Sequence, residues 1–377
     1  MIYTMRECYD RSMQKWNRRW FLASLATCAA DLTADNKGKA RVFPSAAVRY
    51  LDPATEFPVI RLTDPQFTSS LPVAGNRGVA ARALLYASDL AGAQQVFWMD
   101  LRSKESRQWT DARQLDPASI ALAPKDKGFW HFDGPSLIET ALPNLKPREI
   151  YRVSDGFEKL PGASFTDDGQ YAAFIEKGAD RFRLRLLHLL NGTASTLVES
   201  PEELRDPLLR PRHSSLVYGN AGQFWTIDFD GRQSRRLPLA EGATLQVAWA
   251  ADGRELQYLN RPPDLRRLTG LRAWTPETDV DARIAETSQF LEFDSNVDAS
   301  VFVGASGSKA SPYLLLLIRA ARRELTLAEH RATDPALVNP RFAPNSQFVV
   351  FVSDRHGKPA IYWIALDKLV ADTGSSA

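Results

Sequence analysis

Arginine and histidine side chains stand beside two strand-like segments, where they could bind an anion and transfer a proton. The run RPRHSS brings together Arg210, Arg212 and His213, and Arg341 follows a proline in NPRF. A planar guanidinium can hold a carboxylate through two parallel hydrogen bonds, and an imidazole exchanges protons near neutral pH. We therefore predict catalytic roles for His213, Arg212 and Arg341 and a substrate-binding role for Arg210. The alternative is that they are ordinary loop and surface residues.

The other histidines have contexts that favour structural positions. His356 in DRHGK is typical of an exposed turn, and His188 alternates with leucines as a strand residue does. His131 lies between two aromatic residues in FWHFDG, which is typical of a sugar-stacking patch or of a sheet core. His330 precedes a loop in AEHRATD, where it could either face a ligand or belong to the loop itself.

The composition is that of a large chain whose globular part has no cysteine chemistry. Of its 377 residues 44% are hydrophobic, and 23 prolines and 21 glycines favour many short elements over long helices. Both cysteines, Cys8 and Cys28, lie near the N-terminus, which argues against a disulfide or a cysteine metal site elsewhere. A formal charge of +2 without runs of like charge argues against nucleic acid as a partner.

Residues 1–30 are predicted to be an export signal and residues 31–44 a linker. The run NRRWFLASLATCAAD has paired arginines followed by an apolar stretch that is too short to cross a membrane. It resembles a twin-arginine signal, which implies a periplasmic or extracellular protein. The alternatives are a lipid anchor at Cys28 and an amphipathic start of a cytosolic protein.

One design recurs along the chain and positions these residues. An aromatic residue is followed by a small polar turn and then by alternating apolar residues, which predicts two strands joined by a tight turn. The aromatic residues are 84 and 93 positions apart, near twice the roughly 40–50-residue period of a propeller blade. The clearest copies are ASFTDDGQYAAFIEKG (163–178), VAWAADGRELQYLNRP (247–262) and PRFAPNSQFVVFVSDR (340–355).

This period predicts an all-β fold, a seven-bladed β-propeller over residues 45–370, followed by a disordered tail at 371–377. Looser copies between the clear ones bring the number of units to about seven, within the usual range for propellers. The run FPVIRLTD (57–64) is predicted to be an N-terminal strand that completes the last blade and closes the ring. Two β-sandwich domains are the competing fold, but the uniform period and the lack of a Pro/Gly-rich linker near the middle argue against them. The stretch 199–213, the only mid-chain segment that resembles a helix or linker, is interpreted as an insertion between blades.

Several of these runs resemble known propeller families. The blade SDRHGKPAIYWIALD resembles those of TolB-like propellers, a broad likeness that carries no activity. A narrower resemblance is to oligogalacturonate lyases, on VIRLTD, QFWTIDFDG, VAWAADGRELQY and LAEHRATDPALVNPRFAPNSQFVVFVSD. This resemblance implies a seven-bladed propeller that cleaves acidic, pectin-derived oligosaccharides by β-elimination. It also implies a divalent metal such as manganese, held mainly by histidines with a glutamine assisting.

The chain departs from that family pattern at the expected metal ligands. Asn339, Leu337 and Gln246 stand where the resemblance leads us to expect histidines. We therefore predict that no metal cofactor is bound and that arginine takes over part of the metal's role. Asn339, Gln246 and His330, the last at a position where the resemblance also places a histidine, are assigned to substrate binding.

The resulting prediction is an exported lyase-like propeller that acts on acidic oligosaccharides. The alternative is a non-catalytic, TolB-like propeller that binds a glycan or a protein partner.

Overall fold

The computed structural model describes residues 38–264 and 266–366. Its strands form seven antiparallel sheets of four or five strands, which follow one another along the chain as the blades of a ring. The predicted all-β, seven-bladed propeller is thereby confirmed. The predicted signal and the C-terminal tail lie outside the described residues. Within the described part of the chain, no helix is long and apolar enough to span a membrane.

The strands are short, as the proline and glycine content predicts. Two short 3-10 helices, at Pro124–Asp126 and Pro335–Leu337, interrupt them. In chain order the strands are β1 (Val42–Phe43), β2 (Val48–Leu51), β3 (Pro58–Arg61), β4 (Ser69–Ser70), β5 (Ala83–Ser88), β6 (Gln95–Asp100), β7 (Ser106–Gln108), β8 (Leu115–Leu122), β9 (Gly128–Asp133), β10 (Ser136–Ala141), β11 (Lys146–Arg152), β12 (Glu158–Lys159), β13 (Ser164–Phe165), β14 (Tyr171–Lys177), β15 (Phe182–His188), β16 (Thr193–Ser200), β17 (Leu204–Leu209), β18 (Ser215–Asn220), β19 (Gln223–Asp228), β20 (Arg235–Arg236), β21 (Ala243–Trp249), β22 (Leu256–Arg261), β23 (Gly270–Thr275), β24 (Val280–Glu286), β25 (Phe290–Ser295), β26 (Val301–Ser306), β27 (Tyr313–Ile318), β28 (Arg323–Glu329), β29 (Arg341–Phe342), β30 (Phe348–Ser353) and β31 (Ala360–Ala365).

Each blade begins with an inner strand and runs outward. Blade 1 contains β4 to β7, with β1 added at its outer edge, so the propeller begins inside the segment predicted as a linker. Blades 2 to 6 contain β8–β11, β12–β16, β17–β20, β21–β24 and β25–β28. Blade 7 contains β29 to β31 and then β3 and β2 from the start of the chain.

The central strands are buried on both faces, which the sequence did not predict. All six residues of β5 are buried, and successive side chains belong to different clusters. Leu84 and Tyr86 pack with the last blade, whereas Leu85 and Ala87 pack with the second. Period-two alternation predicts half-buried strands, but neighbouring blades cover both sides of each sheet, so both sets of side chains are apolar.

The ring is closed by the N-terminal strand, as predicted. β3 pairs with β31, so that Val59 lies opposite Ile364. Just after β3, the backbone N–H of Leu62 donates to the carbonyl of Ile361 at 2.7 Å, and the leucine side chain is buried. Leu51 at the end of the outermost strand β2 is exposed. Pairing the first and last segments of the chain leaves no open gap between blades 7 and 1.

The turns predicted in the repeat are present with the expected backbone geometry. Gly169 and Gly253 of the two Asp-Gly pairs have φ of 71° and 73°, and Ser346 takes the same place with φ of 55°. A side chain at Gly253 would put its Cβ 2.2 Å from the carbonyl oxygen of Pro211 in the neighbouring blade. Glycine is therefore required there both for its conformation and for the close approach of two blades.

Charged side chains are also buried between blades. Glu176 on β14 is fully buried, where it accepts a hydrogen bond from the Tyr151 hydroxyl at 2.7 Å. The guanidinium groups of Arg183 and Arg185 lie beside the same carboxylate. A buried carboxylate needs such partners, because its charge has lost the hydration it has in water.

Candidate binding site in the central channel

The inner strands and the loops that flank them enclose two cavities in the central channel. The upper cavity, about 590 Å³, lies where the inner strands begin, and the lower cavity, about 810 Å³, lies where they end. The two share part of their walls, namely Leu71, Ser164, Leu208 and Arg341. Arg341 is therefore within reach of a ligand in either cavity.

Arg341 is the best-placed of the predicted site residues. It lies on the inner strand β29 and is buried, with 8% of its surface exposed. Its Nη1 is 3.6 Å from Asp294 Oδ1, while its Nε and Nη2 have no hydrogen-bond partner among the described residues. Asp294 is itself held in place, because its Oδ2 accepts the backbone N–H of Phe342 at 2.8 Å. Arg341 thus has two buried nitrogens without partners among the described residues, on a side chain that lines both cavities; a planar guanidinium of this kind is suited to hold a carboxylate.

Glu292 is a site residue that the sequence analysis missed. It lies two residues before Asp294 on the inner strand β25 and lines the upper cavity with Arg341. Burial raises the pKa of Glu292 to about 7; the positive charge of Arg341 opposes this rise and the negative charge of Asp334 adds to it. The signal was present in the run FLEFDS, where Glu292 and Asp294 alternate with apolar residues and so lie on the same face of the strand.

Arg212 lines the lower cavity, so the structure brings it to the same cavity as Arg341. It is an exposed turn residue with φ of 61°. An acidic residue, Asp167, lies near it. Burial raises the pKa of the Asp167 carboxyl, and the positive charges of Arg77 and Arg212 lower it in part. The lower cavity is therefore a mixed-charge surface rather than a purely basic one.

His213 and Arg210 do not line either channel cavity. His213 is exposed in a separate cleft, and its Nδ1 lies 2.8 Å from the carbonyl oxygen of Pro211. Arg210 joins blades 4 and 5, because its Nε donates to the carbonyl of Gly253 at 2.8 Å and its Nη2 pairs with Glu277. The functional roles of His213 and Arg210 stay predictions, and these contacts give Arg210 a structural role.

Gln246 and Asn339 line the upper cavity, but their side chains also bind backbone. Gln246 Oε1 accepts the N–H of Phe293 at 2.6 Å, and its Nε2 donates to the carbonyl of the same residue at 3.1 Å. Asn339, with φ of 44°, donates through Nδ2 to the carbonyl of Pro72 at 3.0 Å. Both amides thus join neighbouring blades, which limits the groups they can offer to a ligand.

His330 is fully buried away from both cavities. Its Nδ1 accepts the backbone N–H of Ala332 at 3.1 Å, so its Nε2 carries the proton and donates to the carbonyl of Ser306 at 3.0 Å. Burial lowers the pKa of His330, which keeps the ring neutral. The substrate-binding role assigned to it stays a prediction, and the contacts explain a histidine here structurally.

Comparison with known proteins supports the resemblance inferred from the sequence. No family model matches the chain. It is 23% identical over 379 residues to the oligogalacturonide lyase of Pectobacterium atrosepticum, a match that covers 86% of this chain and 97% of the relative. It is 22% identical over 370 residues to the oligogalacturonate lyase of Dickeya dadantii, with 83% and 94% covered.

Solved structures agree with the fold over nearly the whole chain. An oligogalacturonate lyase in complex with manganese superposes with a TM-score of 0.83 at 22% identity, covering 89% of this chain and 100% of the other. The oligogalacturonate lyase of Vibrio parahaemolyticus gives a TM-score of 0.81 at 20% identity, with 87% and 98% covered. These likenesses confirm the seven-bladed fold and the resemblance to oligogalacturonate lyases.

The prediction that no metal cofactor is bound is wrong. It rested on the residues that replace histidines at positions 246, 337 and 339, but a protein of the same fold has been solved with manganese bound. Within residues 38–264 and 266–366, no group of three or more His, Cys, Asp or Glu side chains is arranged to hold a metal ion. These side chains alone therefore form no ready-made site, and manganese has to be included in any test of activity.

Proposed function

We propose that this protein is an exported, lyase-like propeller that binds acidic, pectin-derived oligosaccharides in its channel and cleaves them by β-elimination. The similarity to proteins named oligogalacturonate lyase supports the substrate class and the reaction. The observation that carries the proposal is Arg341, a buried arginine in the wall of the upper cavity whose Nε and Nη2 have no hydrogen-bond partner among the described residues.

The chemistry of the reaction gives this arginine a defined task. β-Elimination removes the proton beside a carboxylate, so negative charge grows on that group in the transition state. A guanidinium that holds both carboxylate oxygens stabilises this charge, and more so in an enclosed cavity than in water. The wall around Arg341 is largely apolar, with Leu245 and Leu337 among its residues, and can contact the C–H faces of a sugar.

Turnover of a defined substrate tests the proposal directly. The purified protein is incubated with oligogalacturonate, and the unsaturated product is followed by its ultraviolet absorbance. The assay is run with added Mn²⁺, after treatment with a chelator, and after chelation with Mn²⁺ restored, so that a metal requirement is measured separately from activity. Methyl-esterified oligogalacturonate serves as the control, because it lacks the charge that Arg341 would bind. No product in any metal condition would refute the proposed reaction.

Binding without turnover would support a different function, that of a non-catalytic propeller that recognises acidic glycans. The contacts of Gln246 and Asn339 favour this candidate, because amides that bind the backbone of neighbouring blades have fewer groups left to take part in catalysis. Calorimetric titration with oligogalacturonate, combined with the turnover assay, separates the two functions: binding with product supports the lyase, and binding without product supports the recognition module.

Export is part of the proposal and rests on the sequence of residues 1–30. Expression in a bacterium with a twin-arginine pathway, followed by fractionation and mass spectrometry, tests it. We expect a periplasmic product that begins near Asp31, and retention in the cytoplasm when Arg18 and Arg19 are both replaced by lysine. A lipid-modified Cys28 would instead support the lipoprotein alternative.

A further inference from the structure

We infer that Glu292 is the side chain that accepts the proton in the elimination, an inference that rests on the proposed function and extends it to a second residue. Glu292 and Arg341 lie on the inner strands of adjacent blades, β25 and β29, and both line the upper cavity. A substrate whose carboxylate is held by Arg341 would therefore lie in the same cavity as Glu292.

The contacts of the two acidic residues on β25 differ in a way that separates their roles. Asp294 accepts a backbone hydrogen bond and faces Arg341 Nη1, so its position is fixed. Glu292 accepts no hydrogen bond from any described residue, although it is half-buried in the cavity wall. Acceptors in such positions are normally satisfied by protein or water. An unpartnered carboxylate beside a cavity is therefore available to a ligand.

The charged groups around Glu292 suit a proton acceptor. Arg341 on β29 and Asp334 in the loop before β29 act on it from the next blade, and Asp294 lies on its own strand. Gln246 on the preceding blade is neutral. The raised pKa of about 7 lets the carboxyl group cycle between its two protonation states near neutral pH, where a general base is most effective.

Among the described residues no histidine lines this cavity, and its other acidic residue, Asp206, pairs with Arg205. His330 uses both ring nitrogens in hydrogen bonds, and His213 lines a separate cleft. In the proposed step the C5–H bond breaks and its proton passes to Glu292, the electron pair forms the C4–C5 double bond, and the C4–O bond breaks. The leaving oxygen takes a proton from water, and Glu292 returns its proton to solvent.

The test compares Glu292→Gln with the wild type under the metal condition that gives activity. Glutamine keeps the size of the side chain but cannot accept the proton, so we expect kcat to fall by about 100- to 10,000-fold with little change in KM. The matched control is Glu255→Gln, a partly exposed glutamate that pairs with Arg319 outside the channel and should leave kcat unchanged. Thermal unfolding checks that both variants are folded.

Two further measurements distinguish proton transfer from a structural role. In the wild type, kcat/KM should rise with pH to a plateau above about 7, and this rise should be absent from the residual activity of Glu292→Gln. In Glu292→Ala, added formate should restore part of the activity by supplying a small carboxylate. An active wild type with an equally active Glu292→Gln and an unchanged pH profile overturns the inference but leaves the proposed function intact. A wild type without turnover overturns both.

Discussion

Replacing Arg341 by alanine removes the guanidinium that we propose to hold the substrate carboxylate. In the free protein this side chain has two nitrogens, Nε and Nη2, without partners among the described residues, and an ion-pair distance of 3.6 Å to Asp294. The substitution therefore breaks few contacts within the protein. Its main effect should be on the affinity for the ligand, because both unpartnered donors are lost at once.

The magnitude follows from the number of hydrogen bonds. Removing one partner of a buried, hydrogen-bonded charge pair costs about 2–5 kcal/mol, which is about 30- to 4,000-fold in affinity. Arg341→Lys keeps the charge but loses the planar fork, so one bond of about 1.5–3 kcal/mol is lost, about 10- to 150-fold. Because Arg341 lowers the pKa of Glu292, the alanine variant should also show its pH-dependent rise in activity at higher pH than the wild type.

Calorimetric titration with oligogalacturonate and turnover kinetics measure these effects. Arg319→Ala is the matched control, because Arg319 also pairs with a glutamate of another blade, at 2.9 Å, but does not line the channel. We expect the order of affinity to be wild type, lysine variant and alanine variant, with the control close to the wild type. Equal affinity of Arg341→Ala and the wild type would refute the reasoning, since the buried guanidinium would then not contact the ligand.

Three predictions concern stability. Leu62→Ala, at the buried closing strand, should lower the free energy of unfolding by about 2–5 kcal/mol, whereas the exposed Leu51→Ala should change it by less than about 0.5 kcal/mol in chemical denaturation. Burial lowers the pKa of His131 to about 4, so the stability that the neutral ring contributes is complete above pH 6.5. About 3 kcal/mol of this stability is lost as the pH falls toward 4. Melting curves of His131→Phe should lack this part of the pH dependence. Glu176→Ala removes the buried carboxylate between the half-buried guanidinium groups of Arg183 and Arg185 and should cost about 3–5 kcal/mol, against about 0–1 kcal/mol for the part-exposed Glu139→Ala. Equal losses within either pair of variants, or an unchanged pH dependence, would contradict these assignments.

The features of the fold that could be predicted are those fixed by short-range sequence. The unit of an aromatic residue, a turn and alternating apolar residues predicted the strand pairs whose first strands end at Phe165, Trp249 and Phe342, because turn geometry and period-two burial depend on neighbouring residues. The closing strand near Val59 was also predicted, since a seven-bladed ring needs a partner for its last blade. Burial on both faces was missed because it depends on two neighbouring blades, which no local pattern reveals.

The site was predicted only in part, for the same physical reason. Arg341 lies in the channel because its position follows from the blade that contains it. His213 and Arg212 are adjacent in sequence, yet they line different cavities. Adjacency in a turn therefore did not predict a shared site. Glu292 was missed because it belongs to a blade whose repeat is weak, where an acidic residue resembles an ordinary surface position.

The construction of the upper cavity explains how such a ring can hold a specific ligand site. Three of the inner strands, β4, β13 and β29, are only two residues long in the described part of the chain, so loops such as 161–163 and 336–339 form much of the wall. Loops on a rigid scaffold can change without disturbing the blade contacts that hold the ring together. Arg341 and Glu292, by contrast, lie on the strands themselves. The charged pair that we propose to act on the substrate is therefore fixed by the blades, and the loops around it can determine which oligosaccharide reaches it.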